Sequence, residues 1–175
     1  MIRVNIKGAS PEYQKVIDKA TQMLEQATGD VRKISHNMMP GLLTKMGFYE
    51  AVEDLFENLN DIEDMEATCE ITGEQNRLPE NKEIMLYRIT QEMVNNTLKH
   101  AGAKHVDIKI KIFPEKLMLK YKDDGVGFDK EKVLQSETES LGLKSIQSRI
   151  NFLNGEVSIH TKPGEGVEYS IGIPT

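Results

Sequence analysis

The sequence predicts an α+β fold, in which helices cover one face of a mixed β-sheet and a long N-terminal helix precedes this sandwich. Between residues 13 and 38, apolar side chains recur at alternating gaps of four and three, the spacing of a helix that packs along another helix. After residue 40, the patterns follow the order α-β-α-β-β-α-β-β. The strands fall into hairpins rather than regular βαβ units, which favours helices gathered on one face of the sheet.

The N-terminal helix is predicted to begin at Ser10, with Pro11 in its first turn, and to stop at Pro40. Its apolar stripe is narrow and its other faces are charged, so the helix needs a partner helix to be stable. We expect the stripe to self-associate when no partner covers it. The stripe contains Tyr13, Ile17, Ala20, Leu24, Ala27, Val31, Ile34 and Met38.

The rest of the chain divides into helical and alternating patterns. Helices are predicted over residues 48–60, 79–103 and 141–155. Strands are predicted over residues 67–72, 105–113, 116–124, 156–161 and 167–174. The middle two strands form a hairpin, and the last two form another around the turn KPGEG.

Composition restricts the class of protein. The net charge of −6 argues against broad nucleic-acid binding, which requires a basic surface. The single cysteine, Cys69, excludes an internal disulfide and a Cys/His metal cluster, and we interpret it as a small buried hydrophobic residue in a reducing compartment. No apolar run approaches the roughly 20 residues that span a bilayer, so we expect a cytoplasmic chain without a membrane segment. His105 and His160 are interpreted as surface residues.

One face of the helix over residues 79–103 carries polar side chains four residues apart: Arg88, Glu92, Asn96 and His100. A carboxylate and a carboxamide one turn apart suit Mg²⁺, which binds through one or two protein oxygens together with phosphates and water. Lys99, next to this face, can reach a phosphate. The alternative is a polar face that is simply exposed to solvent.

The motif DDGVGF, residues 123–128, ends a predicted strand. Asp123 falls on the apolar side of that strand, where a carboxylate needs a hydrogen-bond donor such as the exocyclic amine of a ligand. Gly125 and Gly127 permit a sharp turn and the close approach of a flat ring. The alternative is a plain surface turn, in which Asp-Gly pairs are common.

A third motif, SLGLKS, covers residues 140–145. Gly142 opens a helix whose first backbone N–H groups can bind an anion, and Lys144 adds positive charge. The alternative is that Gly142 only helps the chain to enter the helix. We interpret KPGEG, residues 162–166, as a hairpin turn.

Together the three motifs resemble a known family. Residues 91–103, 123–129 and 141–150 resemble the N, G1 and G2 boxes of the ATPase family shared by histidine kinases, gyrase, Hsp90 and MutL, which implies the Bergerat fold. Longer stretches, residues 32–55, 87–103 and 141–157, resemble the histidine-kinase subfamily related to nitrate-response sensors. The resemblance covers nearly the whole chain.

The resemblance implies a role for each matching residue, with ATP and Mg²⁺ as cofactors. Asp123 is expected to hold the adenine amino group, and Asn96 to coordinate Mg²⁺. Glu92 is expected to act as general base or to orient the acceptor, with Lys99 and His100 near the phosphates.

Further residues are expected to line the pocket and its lid, which is placed at residues 131–141. These residues are Gly125, Gly127, Leu141, Gly142, Leu143 and Lys144. The sequence departs from the family pattern at Thr138 and Ser140, where glycines are usual, and at Val167, where a hydroxyl that could touch phosphate is missing.

The resemblance also implies a domain division. Residues 1–40 are expected to be a remnant of the dimerisation and phosphotransfer hairpin, mainly its second helix, and residues 41–175 the ATP-binding catalytic domain. The expected acceptor motif is absent, so we expect a truncated kinase that is inactive in cis, with His36 as a minor alternative acceptor. The implied partners are a second kinase protomer and a response-regulator receiver domain, and membrane anchoring of the full-length parent protein stays open.

Two other functions stay open at this point. The chain is alternatively a degenerate module that binds a nucleotide or a partner without catalysis. Another enzyme of the same superfamily, such as an anti-sigma serine kinase, is disfavoured because it lacks the long N-terminal helix.

Overall fold

The computed structural model describes Ile17, residues 41–136 and residues 140–175. The chain divides into two units at residues 40 and 41, and the second unit is described below. Ile17 is helical, and the rest of the N-terminal stripe, together with His36, lies outside the described residues. Among the helices in these ranges, none combines the length and the apolar character needed to cross a membrane.

The elements of the second unit follow the predicted order. In chain order they are α1 (Gly41–Lys45), α2 (Phe48–Leu59), β1 (Glu66–Thr72), α3 (Glu80–Asn96), β2 (His105–Phe113), β3 (Lys116–Asp123), α4 (Lys130–Gln135), α5 (Leu141–Phe152), β4 (Glu156–Thr161) and β5 (Val167–Pro174). A π-turn, Thr97–Ala101, continues α3. The short helices α1 and α4 and the π-turn are additions to the predicted pattern.

The five strands form one mixed sheet in the order β1-β2-β3-β5-β4. Strand β1 pairs in parallel with β2, through the crossover that contains α3, and all other pairs are antiparallel. Alternate residues of the three central strands are buried beneath the helices: Val106, Ile108, Ile110, Leu117, Leu119, Tyr121, Val167, Tyr169, Ile171 and Ile173. The opposite face carries exposed ion pairs such as Lys109–Glu70. The predicted α+β class, with helices on one face of a mixed sheet, is therefore confirmed.

Tyr121 contacts two other aromatic rings in the core. Its ring lies 6.5 Å from that of Phe56 on α2 and 6.0 Å from that of Tyr169 on β5, both in edge-to-face orientation. Such pairs favour one ring geometry, so they hold the end of β3 in place under the helices. The next residue on this face is Asp123, which is therefore presented from a rigid strand.

Cys69 lies on β1 and is only half-buried, so its interpretation as a buried residue was too strong. Strand β1 is an edge strand, and an edge position leaves its side chains less covered than those of the central strands. Burial, with a smaller contribution from Glu53, still raises the pKa of the Cys69 thiol to about 12. The thiol is consequently inert at neutral pH.

Candidate functional site

A cavity of about 590 Å³ lies between α3 with its π-turn, the loop after β3 and the start of α5. This volume falls in the range of roughly 300–1,000 Å³ that small-molecule sites occupy. Eight residues predicted from the three motifs line it: Glu92, Asn96, Lys99, His100, Asp123, Gly127, Gly142 and Leu143. The structure thus brings together three segments that are far apart in the sequence.

Three of the predicted residues do not line the cavity. Gly125 lies behind it, where its backbone N–H donates to Asp123 Oδ1 at 3.0 Å. The side chain of Leu141 is 64% exposed, and Lys144 is exposed on the same turn of α5. Arg88, which shares the polar stripe of α3 in sequence, donates from Nη1 to Gln91 Oε1 at 3.1 Å and does not contribute to the lining.

Asp123 is the last residue of β3 and is buried at the cavity wall. A buried carboxylate is costly unless donors surround it, and the structure supplies two. Thr97 Oγ1 donates to Oδ2 at 2.9 Å, while the N–H of Gly125 donates to Oδ1. The prediction that Asp123 points to the buried side of the strand is confirmed, although protein groups already provide part of its hydrogen bonding.

The π-turn fixes the position of the α3 end relative to this loop. Its wider turn begins at Thr97 and ends before Gly102, which adopts the left-handed conformation with φ of 57°. The Ala101 carbonyl accepts a hydrogen bond from Val126 N at 2.9 Å, and a Cβ on Gly125 would overlap Ala101. Single π-helical turns are rare in α-helices, and those that occur are frequently found at functional sites. Here Thr97, at one end of the π-turn, bonds to Asp123, and Ala101, at the other end, bonds to Val126 in the loop after β3.

The second carboxylate of the motif, Asp124, has a different environment from Asp123. Its Oδ1 accepts from the backbone N–H groups of Lys104 and His105 at 2.8 and 2.9 Å, and its Oδ2 lies 2.7 Å from His105 Nδ1. Partial burial alone raises the pKa of the Asp124 carboxyl, but the hydrogen bonds from His105 and Lys104 prevail and lower it to about 2. Asp124 therefore anchors the loop to the start of β2.

His105 is exposed, as predicted, but it is not an isolated surface residue. The hydrogen bond to Asp124 raises the pKa of its imidazole, against a smaller lowering by desolvation. Its other ring nitrogen, Nε2, lies 3.3 Å from a carboxylate oxygen of Glu66 on β1. The two carboxylates come from different parts of the chain, so sequence neighbours alone do not reveal this pairing.

Gly142 lies against the polar face of α3. A Cβ built on it would lie 2.7 Å from Glu92 Oε1 and 3.3 Å from Asn96 Nδ2, closer than side chains tolerate. Glycine therefore lets the start of α5 approach both side chains, and a larger residue would displace the Glu92 carboxylate from its position. The first N–H groups of α5 and the oxygens of Glu92 and Asn96 consequently meet at one part of the cavity.

The turn between β4 and β5 packs against the loop after β3. A Cβ on Gly127 would overlap the carbonyl of Lys162, and a Cβ on Gly166 would overlap the carbonyl of Asp123. Thr161 Oγ1 donates to Gly166 O at 2.9 Å and accepts from Phe128 N at 3.0 Å. The prediction of a hairpin turn is confirmed, and the turn also forms the base of this loop.

Seven further lining residues of the cavity were not among the predicted site residues. They are Met93, Thr97, Ala101, Phe128, Val133, Val167 and Tyr169. Most are apolar, a residue type that the search for polar and glycine positions passed over. Membership of residues 91–103, 123–129 and 131–141 was the available signal for five of them. They give the cavity the apolar wall on which a flat ring can pack.

The departures from the family pattern have distinct environments. Val167 lies directly opposite Asp123 in the β3–β5 pair, so its missing hydroxyl concerns the surroundings of that carboxylate. Ser140 is fully buried just before α5, and its hydroxyl donates to the Ser136 carbonyl. Thr138 lies outside the described residues, as do residues 137–139 of the expected lid.

The donor set of the cavity fits a nucleotide with its cation. Among residues 41–136 and 140–175, no group of three or more His, Cys, Asp or Glu side chains is placed to hold a metal. An ion at Asn96 would therefore need further oxygens from a ligand and from water, which is how Mg²⁺ is usually bound. Lys99 and His100 are exposed and lie at the same cavity, where they can face anionic groups.

Comparison with known proteins gives a consistent set of matches. Residues 81–175 match the family described as histidine kinase-, DNA gyrase B- and HSP90-like ATPase. The signal transduction histidine-protein kinase/phosphatase DegS of Brevibacillus brevis is 31% identical over 163 residues, which cover 93% of this chain and 42% of that protein. The sensor histidine kinase ComP of Bacillus subtilis is 32% identical over 170 residues, which cover 95% of this chain and 22% of that protein.

A solved structure has the same fold. The histidine kinase AdeS of Acinetobacter baumannii superposes with a TM-score of 0.58 at 18% identity, over 95% of this chain and 85% of that chain. At this identity the likeness concerns the fold alone. This chain spans less than half the length of DegS and of ComP.

Proposed function

Because this chain belongs to the histidine kinase-, DNA gyrase B- and HSP90-like ATPase family, we propose that it is the ATP-binding catalytic portion of a sensor histidine kinase. The domain transfers the γ-phosphoryl group of ATP to a histidine, for relay to the receiver domain of a response regulator. The observation that carries this proposal is the convergence of Asn96, Asp123 and Gly142 on one cavity. The names of the relatives DegS and ComP support the same chemistry.

In this proposal the adenine ring lies beside Asp123. The carboxylate accepts a hydrogen bond from the exocyclic amino group, and the apolar lining residues pack against the ring faces. Gly127 lines the cavity without a side chain, whereas Gly125 acts from behind by donating to the carboxylate. A preformed acceptor in an apolar wall orients a ligand at little entropic cost.

The phosphates are proposed to lie near Glu92, Asn96 and the start of α5. Asn96 would hold Mg²⁺ through its amide oxygen, and the bound ion supplies neutralisation of the negative charge that builds up during transfer. The N–H groups at the start of α5 and the Lys99 ammonium donate to phosphate oxygens. His100 lines the same part of the wall.

Glu92 is proposed to act on the acceptor. Its carboxylate takes a proton from the attacking group or orients that group for in-line displacement. The side chain is half-buried and is held between the helix start at Gly142 and its own helix. Phosphoryl transfer depends mainly on positioning and on charge, so a fixed carboxylate next to a cation site suits this step.

The acceptor and the partners follow from the same proposal. The acceptor histidine belongs to the dimerisation hairpin of a kinase that contains this domain, and residues 1–40 contribute mainly the second helix of that hairpin. The second kinase protomer and the receiver domain are the macromolecular partners, in the cytoplasm. His36 is a second candidate acceptor, and labelling with ATP followed by a test for acid-labile phosphate distinguishes the two.

Isothermal titration with Mg·ATP and Mg·ADP tests the nucleotide site. We expect both to bind, and we expect Asp123→Asn and Asn96→Asp each to weaken binding by at least about tenfold, the loss for one charge-assisted hydrogen bond or one cation ligand. Asp123→Asn replaces an acceptor oxygen by an amide donor, and Asn96→Asp adds a charge that repels the phosphates.

Two matched variants control for the substitutions themselves. Asp107→Asn changes a carboxylate on the open face of the sheet, where it accepts from Thr68. Asn151→Asp changes an exposed amide on α5, whose oxygen accepts from Gln147. Both should bind nucleotide as the unmodified chain does. Absence of binding by the unmodified chain would favour the degenerate, non-catalytic module.

A further inference from the structure

Two buried hydroxyl groups form a chain of hydrogen bonds that ends on the Asp123 carboxylate. The Tyr121 hydroxyl lies 2.7 Å from Thr97 Oγ1, which lies 2.9 Å from Asp123 Oδ2. Tyr121 and Asp123 share the buried face of β3, whereas Thr97 begins the π-turn of α3. None of the three residues is more than 3% exposed, so little water competes for these hydrogen bonds.

The carboxylate fixes the direction of these hydrogen bonds. Thr97 Oγ1 has a single proton, which it donates to Asp123 Oδ2. Thr97 can then only accept from Tyr121, and the tyrosine hydroxyl must donate. Burial raises the pKa of Tyr121 above its ordinary value, so this hydroxyl keeps its proton. These hydrogen bonds, called the relay below, therefore run in one direction, from Tyr121 through Thr97 to Asp123.

The other carboxylate oxygen is held independently. The Gly125 N–H donates to Oδ1 at 3.0 Å, so each oxygen of Asp123 has one protein donor. One donor on each oxygen restrains rotation of the carboxylate plane. Asp123 lines the cavity, so its remaining acceptor capacity is available to a ligand there. A ligand group beside the Asp123 carboxylate therefore has to donate a hydrogen bond. A purine with a 6-oxo group presents an acceptor there and is repelled.

We propose that Thr97 and Tyr121 are positioning residues that keep Asp123 an oriented acceptor, and that they thereby set the preference of the site for 6-aminopurine over 6-oxopurine nucleotides. This inference rests on the proposed function, since it concerns the base of the nucleotide that the site is proposed to bind. Neither residue was among the predicted site residues, although Thr97 lies within residues 91–103 and lines the cavity. Both act through Asp123 in this proposal.

Titration calorimetry with ATP and with inosine triphosphate, each with Mg²⁺, tests the relay, because the two nucleotides share their ribose and phosphates and differ at the purine 6-position. We expect Thr97→Val to lower ATP affinity about tenfold, as for the loss of a hydrogen bond to a charged group, and inosine triphosphate affinity by less than about twofold. Tyr121→Phe should reduce the ratio of the two affinities by about threefold. Thr97→Ser keeps the hydroxyl and should keep the ratio of the unmodified chain.

Two control variants separate the relay from loss of packing. Thr90→Val removes a buried hydroxyl that donates to the Leu86 carbonyl on the same helix, outside the cavity, and should leave the ratio unchanged. Tyr49→Phe removes the hydroxyl of a buried tyrosine on α2, outside the cavity, and should also leave the ratio unchanged. Melting temperatures show whether each variant folds.

The possible outcomes distinguish the two proposals. If Thr97→Val and Tyr121→Phe leave the ratio of ATP to inosine triphosphate affinity unchanged, or lower both affinities equally, the relay is refuted while the nucleotide site stands. If the unmodified chain binds both nucleotides equally well, the base preference is refuted in the same way. If the unmodified chain binds neither, the proposed function itself fails.

Discussion

Gly142 approaches Glu92 so closely that a Cβ at position 142 would lie 2.7 Å from the Glu92 Oε1. The neighbouring Asn96 side chain lies 3.3 Å from the same point. Gly142, in the first turn of α5, thus limits the positions that the Glu92 and Asn96 side chains of α3 can adopt. The link joins two motifs that are separated by about one quarter of the chain, and it makes a substitution at Gly142 informative.

We expect Gly142→Ala, introduced into a kinase that contains this domain together with its acceptor histidine, to lower the rate of phosphoryl transfer by at least about tenfold, since displacement of a catalytic group by about 1 Å can cost roughly 100-fold. Its folding stability should not fall through helix propensity, because alanine is favoured over glycine by about 1 kcal/mol in a helix. Gly41→Ala is the control, because Gly41 begins α1 and a Cβ there meets open space. Equal rates for Gly142→Ala and the unmodified chain would contradict this role.

A second prediction concerns Glu92 itself. Glu92→Gln keeps the size of the side chain but removes its capacity to accept a proton, so we expect turnover to fall by about 100-fold or more. Affinity for Mg·ADP should change by less than about threefold, because the role assigned to this carboxylate lies in the transfer step. Calorimetry measures the affinity, and labelling of the acceptor histidine with ATP in a kinase that contains this domain measures the turnover. A parallel loss of affinity and rate would place Glu92 among the binding groups instead.

Much of the fold and the family could be predicted from the sequence. Alternation in β2 and β3 predicted a hairpin with Asp123 on its buried side, which the burial of Asp123 confirms. The resemblance of the N, G1 and G2 boxes to the ATPase family is confirmed by the family match over residues 81–175. These features depend on local periodicity and on short motifs, which a single sequence displays directly.

Features that depend on packing could not be predicted. The π-turn at Thr97 has no periodic signature, because its hydrogen-bond pattern follows from how Thr97 and Ala101 meet the loop after β3. The pairing of Asp124 with His105 requires the alignment of β2 beside β3. Gly125 was predicted to admit a ring, whereas in the structure its lack of a side chain accommodates Ala101.

A third prediction concerns the stability of the core near α2. The Tyr49 hydroxyl is buried and has no hydrogen-bond partner among the residues that the structure describes. Such a group costs free energy when it leaves water, so Tyr49→Phe should raise the free energy of unfolding by about 1 kcal/mol. Tyr87→Phe is the matched control, because the Tyr87 hydroxyl has Gln91 as a partner and its removal should lower stability. Urea denaturation measures both, and a loss of stability in Tyr49→Phe would contradict the prediction.

The last prediction uses the pairing of Asp124 with His105. The pKa of Asp124 is lowered from 3.8 to about 2, so its contribution to stability is complete above pH 3.8 and disappears as the pH falls through 2. The pKa of His105 is raised from 6.5, so its contribution is complete below pH 6.5 and disappears as the pH rises through the higher folded value. The pair therefore stabilises the loop most between about pH 4 and 6.5.

We expect Asp124→Asn to destabilise the domain most at about pH 5.5, and less at an alkaline pH above the raised pKa of His105, where the imidazole has lost the proton that attracts Asp124. Urea midpoints of the unmodified chain and the variant at the two pH values measure this difference. Asp129→Asn is the control, since Asp129 caps α4 through the backbone N–H groups of Glu131 and Lys132 and should not show this loss of effect above pH 6.5. An Asp124→Asn effect that is the same at both pH values would mean that the backbone hydrogen bonds of Asp124, which do not titrate with His105, hold this loop by themselves.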